Sequence, residues 1–316
     1  MRPLGTVLLG VCAFAFSAEE KPAARAELPQ DIPGLIEYMA RSDVAGKEAS
    51  ERLGKLGAPA VEPLIAALKH KEPRVRYWGA AALCQIGDER AYKPLLQTLR
   101  SDPNPLVRST ILWQLQKFKK DEVYDLAFEY LNDPDKMVRF WAMRVLVNGN
   151  RTDKLPMILR LTRDKDAAVR HDALVAAVEL GGNTQLELIR KMAASDSDPE
   201  VRAGALRCLT LLPEKTAEIL AIMINSLQDP DPNVQTVAAT LLAKGTNQSF
   251  GFDPSRPPER KAVAKWQKWY ETNKANLKWD NQKRRFVLPN EPPEEKKEEK
   301  AAEPKAPAER PPAPGK

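Results

Sequence analysis

The residues able to do covalent or metal chemistry are few. The chain holds two histidines, His70 and His171, and three cysteines, Cys12, Cys84 and Cys208. A metal site needs several donors converging on one point, and the two histidines fall in different copies of an internal repeat, too far apart to share an ion. No HExxH, CxxC, Walker loop or GxSxG is present, so the spacings that metalloproteases, redox enzymes, nucleotide hydrolases and serine hydrolases require are missing. Asp164 and Asp166, with His171 and Asp172 close behind, are the only dense acidic pair near a histidine. General acid–base work would need such groups set close to a reacting proton. Here the acids occupy a segment that recurs as a turn, so they read as a solvated turn. No catalytic residue, metal site or cofactor is assigned, and the chain reads as non-enzymatic.

The repeat that carries these residues is legible in Asp133-Pro134-Asp135-Lys136-Met137-Val138-Arg139. The same slot reads Glu72-Pro73-Arg74-Val75-Arg76, and later Asp198-Pro199-Glu200-Val201-Arg202. The slot's valines stand at 75, 107, 138, 169, 201 and 234, in steps of 32, 31, 31, 32 and 33 residues. A period of this size means stacked helical units. Proline keeps the residue before it out of the helical region, so each Asp-Pro ends one helix. The acid can then cap or charge-complement the next helix, and the valine is that helix's first core residue. Arg76, Arg108, Arg139, Arg170 and Arg202 could form an anion-binding row. The preferred reading is a ladder of structural ion pairs, individually weak if exposed, that sets register more than stability.

First helices are predicted over Ile32–Ala40, Pro59–Leu68, Ala91–Arg100, Glu122–Leu131, Leu155–Thr162, Gln185–Ala193 and Thr216–Leu227. Second helices are predicted over Lys47–Leu56, Val75–Ile86, Val107–Phe118, Val138–Asn148, Val169–Leu180, Val201–Leu211 and Val234–Ala243. Apolar pairs such as Leu64/Leu68 and Leu95/Leu99 have helical spacing. Small residues four after the valine (Gly79, Ala142, Ala173, Ala205, Ala238) let neighbouring helices approach closely. On this layout Cys84 and Cys208 sit on equivalent helices four repeats apart. At about 10 Å per stacked helix they are about 40 Å apart, beyond the ~7 Å that a disulfide spans. Both read as small buried hydrophobes.

The Asp-Pro-x-Val-Arg turn, the alanine-rich second helix and the endings Lys55-Leu56-Gly57 and Gln85-Ile86-Gly87 resemble HEAT-like repeats. They are most similar to the short repeats of phycobilisome-lyase-like proteins. The resemblance implies an all-α, right-handed α-solenoid of about seven antiparallel helix pairs over 30–247. It also raises a bilin-lyase-type enzyme, or an accessory subunit of one, as an alternative function. The first copy and the last, with Gln235 for arginine, depart from the pattern as capping repeats do.

The flanks differ in composition. Residues 1–18 have a positive start at Arg2, an apolar run from Leu4 to Phe16 and a cleavage point near Ser17-Ala18, the pattern of a signal peptide. The expectation is export, to periplasm or medium, with a membrane contacted only through the leader if it stays uncleaved or is lipidated at Cys12. Residues 19–29 read as a linker, 248–289 as a Trp-rich C-terminal cap, and 290–316 as a disordered Pro/Glu/Lys tail. Residues 251–289 hold ten Lys/Arg against four Asp/Glu, an excess of six that equals the net charge of +6 of the whole chain. Basic residues among aromatics suit nucleic acid or another polyanion. The preferred reading is that the tryptophans plug the end of the array while the lysines face water.

Recognition chemistry is concentrated in repeats two to four. Counting from each valine, the residues two, three and six on place Tyr77, Trp78, Trp113, Phe140 and Trp141 on or beside one face, with Arg144 and His171 at its border. Aromatics with arginine anchor protein interfaces. These six residues (Tyr77, Trp78, Trp113, Phe140, Trp141, Arg144) are therefore the candidate site for a protein partner, with packing between neighbouring second helices as the competing reading.

Overall fold

The computed structural model describes residues 27–251 and 260–289. The leader with Cys12, nearly all of the 19–29 linker, the Asp253-Pro254 turn and the 290–316 tail lie outside the described residues. Fourteen helices form seven pairs. They are α1 (Ile32–Tyr38) with α2 (Asp43–Leu56), α3 (Val61–Ala67) with α4 (Pro73–Ile86), α5 (Tyr92–Ser101) with α6 (Pro105–Gln114), and α7 (Glu122–Tyr130) with α8 (Lys136–Asn148). Then follow α9 (Leu155–Leu161) with α10 (Ala167–Gly181), α11 (Leu186–Ser195) with α12 (Pro199–Cys208), and α13 (Glu218–Asn225) with α14 (Pro232–Thr246). This is the all-α solenoid that the period predicts.

The second helices open two residues ahead of their valines; in α4, α6, α12 and α14 that first position is proline, which is tolerated there. The residue before the opening supplies a side-chain cap in α6, α8, α10, α12 and α14 but not in α4, where Glu72 makes none. Asp135 accepts hydrogen bonds from the Met137 and Val138 amides, and Asp166, Asp198 and Asp231 do the same in their own copies. Helix α2 starts at Asp43 rather than at the expected Lys47. Its N-cap is Ser42, which accepts from the Ala45 amide at 3.1 Å, and no Val-Arg motif marks it in the sequence. The slot valines are at most 1 % exposed, which confirms them as core. Consecutive second helices pack directly on one another, whereas consecutive first helices touch far less. The crowded layer is therefore α2, α4, α6, α8, α10, α12 and α14.

One polar device repeats between the units. The arginine after each valine reaches the aspartate that begins the next copy of the motif. The pairs are Arg76–Asp102 at 2.6 Å, Arg108–Asp133 at 2.9 Å, Arg139–Asp164 at 3.0 Å, Arg170–Asp196 at 2.6 Å and Arg202–Asp229 at 2.8 Å. Each guanidinium also donates to the carbonyl six residues behind it, as Arg108 does to Asp102 and Arg202 does to Asp196. Each aspartate also accepts the amide two residues ahead, as Asp133 does from Asp135. The ladder predicted from sequence is present, but its strength was misjudged. The arginine side chains are only 6–13 % exposed and the aspartates 2–11 %. A pair shielded to this degree is costly to break one-sidedly, because the survivor is left as a buried charge.

The ladder ends cleanly. In the first copy the arginine slot is Gly46, and the facing aspartate slot is His70. There Nδ1 of His70 accepts the Glu72 amide at 3.1 Å, doing the capping half of the aspartate's work. In the last copy Gln235 donates to the Asp229 carbonyl at 2.6 Å, keeping that bond where no further aspartate follows.

Beyond α14, α15 (Arg260–Asn273) lays Ala262, Val263 and Trp266 against the last pair, with Trp266 1 % exposed and edge-on to Phe250 at 4.7 Å. Strands β1 (Lys278–Asp280) and β2 (Arg285–Val287) then form an antiparallel hairpin with Trp279 opposite Phe286. Phe286 is buried, and β2 rests on α14.

Two predictions follow from the ladder. Arg202→Ala leaves Asp229 a buried carboxylate with no cation, so urea unfolding should show a loss of about 3–5 kcal/mol, and Arg202→Met with Asp229→Leu should lose less. Burial alone would raise the carboxyls of Asp196 and Asp229, but the facing arginines and the amides of Asp198 and Asp231 outweigh it, and both end below the ordinary aspartate range. Depressed carboxylates contribute stability that is complete above the unfolded pKa and lost below it. Unfolding free energy should thus hold down to about pH 4 and fall steeply below it, and Asp196→Asn should flatten that fall.

Candidate functional site

The second-helix layer positions the aromatic residues, and the spacing of its helices decides which rings reach the surface. Of the residues two after the valine, Tyr77, Ser109 and Ala203 are buried in the seam between neighbouring second helices, whereas Phe140, His171 and Thr236 are half-buried. The sequence reading set that position on the open face. The open face carries Phe140 and, at the positions three and six on, Trp78, Trp113 and Arg144, all half-buried. Trp141, three on in its own helix, is 8 % exposed because Trp113 from α6 covers it.

The rings form two groups. Tyr77 and Trp78 meet edge to face at 4.8 Å on α4. Trp113 of α6 meets Trp141 of α8 at 4.8 Å, and Phe140 meets Trp141 at 5.1 Å. Arg144, which borders the second group, holds Glu179 of α10 at 2.5 Å. Nε of Arg144 and Nε1 of Trp78 are buried without a hydrogen-bond partner. Room for these large side chains comes from facing glycines. A Cβ on Gly46 would lie 2.1 Å from the Trp78 ring, and one on Gly204 would lie 2.2 Å from His171.

The remaining titratable residues have structural work. Asp164 belongs to its rung with Arg139, and Asp166 caps α10 and holds Lys136 at 3.1 Å. His171 reaches only Asp172, at 3.2 Å. Among the described residues no group of His, Cys, Asp and Glu is placed to hold a metal ion. Burial pushes the Cys84 thiol up to about 12, against a weaker opposing pull from Lys117, and pushes Cys208 up to about 12 as well, with Glu179 adding to it. Neither is a nucleophile at neutral pH.

Two features escaped the sequence reading. Lys215 turns back on the end of α12 and donates to the carbonyls of Leu209, Thr210 and Leu212, and burial holds its ammonium below the ordinary lysine range. Its lone position in a loop gives no pattern by which to find it. An open groove of about 400 Å³ also runs between α3 and α5, over Ile65, His70 and Pro94. Its charged floor, Arg76 and Asp102, is already a closed rung.

Against this geometry the family comparison is decisive. Four overlapping matches to the model described as HEAT repeats cover residues 32–116, 92–177, 124–210 and 186–249. The chain is a HEAT-repeat protein. No curated protein matches its sequence. Solved structures similar to it include a chain from the complex of CpcE and CpcF of phycocyanin lyase from Nostoc sp. PCC7120. That likeness has 20 % identity, covers 81 % of this chain and 99 % of that one, and has a TM-score of 0.40. A designed armadillo repeat protein is similar at 17 % identity over 67 % of this chain and 98 % of its own, with a TM-score of 0.30.

The thiols give a direct check of the HEAT array. Cys84 and Cys208 should resist a thiol reagent in the native protein at mild alkaline pH and react fully in denaturant, and mass mapping should find no bridge between them. Fast native labelling of either would contradict its burial.

Proposed function

We propose that this HEAT-repeat protein is an exported, non-enzymatic scaffold that binds a protein partner along its second-helix face. The observation that carries the reading is the Trp113–Trp141–Phe140 group, which spans two adjacent repeats and keeps Trp113 and Phe140 half-open to solvent. Large rings held rigidly by neighbours lose little freedom on binding and bury much apolar area, which is why they dominate interface energetics. Trp78 on α4, edge to face with the buried Tyr77, extends the same face, and Arg144, fixed by Glu179, gives it a polar edge. The leader pattern in residues 1–18 supports export, and the structural employment of Asp164, Asp166 and both thiols supports a non-enzymatic role.

The double variant Trp113→Ala with Phe140→Ala tests the site. It should weaken binding of a partner purified with the wild-type chain by about tenfold or more, the scale of a lost hot spot, with the melting curve close to wild type. Trp141→Ala, which empties a buried site, should instead cost about 3–5 kcal/mol of stability. If the double variant also loses that much stability and binds normally, the rings are packing alone and the reading fails.

A further inference from the structure

The charge of this molecule is gathered at one end, and the binding face proposed above makes no use of it. Helix α15 turns its apolar side to the array, and its outer side carries Lys261, Lys265 and Lys268, all exposed. Their spacing of four and three residues sets them in one straight row. The hairpin adds Lys278, Lys283 and Arg284, also exposed. Among the described residues none of these six cations is paired with an acid. The two acids among the described residues of this region are occupied, Glu271 with Lys274 at 2.6 Å and Asp280 with the turn amides of Gln282 and Lys283. Like charges held this close on a rigid element repel one another, and an anionic counter-surface relieves that repulsion.

We infer that this cap is an electrostatic docking face for an anionic phospholipid bilayer. Three observations favour a lipid surface over nucleic acid. First, five of the six cations are lysines, point charges suited to headgroup phosphates, whereas arginine is the residue of bidentate phosphate and base recognition. Second, the cap's rings are turned inward: Trp266 is buried, and Trp269, Tyr270 and Trp279 are half-buried against the core. Among the described residues of the cap no exposed ring is left as a platform on which unpaired bases could stack. Third, the row on α15 is about 10 Å long at ~1.5 Å per residue, which matches only about three phosphates of one strand at ~3.4 Å each. Lipids are free to gather beneath such a short row, but the phosphates of a duplex are fixed. The apolar side of α15 is spent on the array, so attachment is peripheral and electrostatic.

Vesicle co-sedimentation of the full chain tests the inference. Probes are phosphatidylcholine vesicles, alone or mixed with phosphatidylglycerol. The neutral vesicles report any apolar attachment through the leader. The chain should bind the mixed vesicles more tightly than the neutral ones in dilute salt and lose that difference in molar salt. Lys261→Gln/Lys265→Gln/Lys268→Gln should weaken the charge-dependent binding by about tenfold to a hundredfold. Lys69→Gln/Lys93→Gln/Lys191→Gln, exposed positions on the array with the same change in net charge, should leave it nearly unchanged. Equal binding to both vesicle types overturns the inference, and so does an equal effect of the two triple variants. Tighter binding to a short DNA duplex than to the mixed vesicles, at matched salt, overturns the choice of lipid.

Discussion

The structure depends on one interaction, the buried aspartate–arginine rung between successive repeats. A solenoid has no single core that fixes the order and spacing of its units, and helices with similar apolar stripes can slide by a turn. The rung removes that freedom. Each arginine is bound to the loop carbonyls of its own repeat and to the carboxylate of the next, and that carboxylate caps its own turn. A slip of one turn would strand both charges in a shielded place. The rung thus works through the penalty for wrong alignments, a role buried ion pairs can hold even where an apolar pair would be equally stable. It also explains why the motif is strict while the helices between vary in length.

The terminal substitutions obey the same logic. An arginine at 235 would have no following aspartate, and an aspartate at 70 would have no preceding arginine. Gln235 and His70 keep the neutral half of each hydrogen-bond set. The array is therefore closed by chemistry at both ends as well as by the bulk of α15 and the hairpin. Lys215 shows the same economy at the end of α12, where an ammonium stands in for the missing next turn.

The features legible in the sequence are those that recur. The period located the valines, the helix pairs and the ladder, because each is set by a short motif repeated many times. The hairpin was legible in Asp280-Asn281-Gln282-Lys283, a turn-forming run between Leu277-Lys278-Trp279 and Arg285-Phe286-Val287-Leu288. What stayed hidden was set by neighbours. The start of α2 lacked the motif, so its boundary was misplaced. The burial of the rungs was invisible because Asp and Arg are usually exposed, and only the stacking of loop on loop shields them. The candidate site was legible as a set of residues but not as a surface. Tyr77 and Phe140 share a repeat position, yet Tyr77 is buried and Phe140 half-open, a difference that depends on what the adjacent helix presents.

The proposed binding face depends on how the second-helix layer is packed. The second-helix layer is the more crowded of the two, and small residues are what its seams most easily accept, as Ala142, Ala173, Ala205 and Ala238 show. Large rings enter this layer here only where a neighbour yields: Trp78 lies over Gly46, and Trp113 shares its space with Trp141. For internal packing alone, alanine and valine at these positions would build the same stack with less disturbance. Rings that are fixed on one side and open on the other already have their orientation set before any partner arrives, so their ordering entropy is spent in folding rather than in binding. The same crowding that makes the face rigid is what would suit it to the recognition proposed for it.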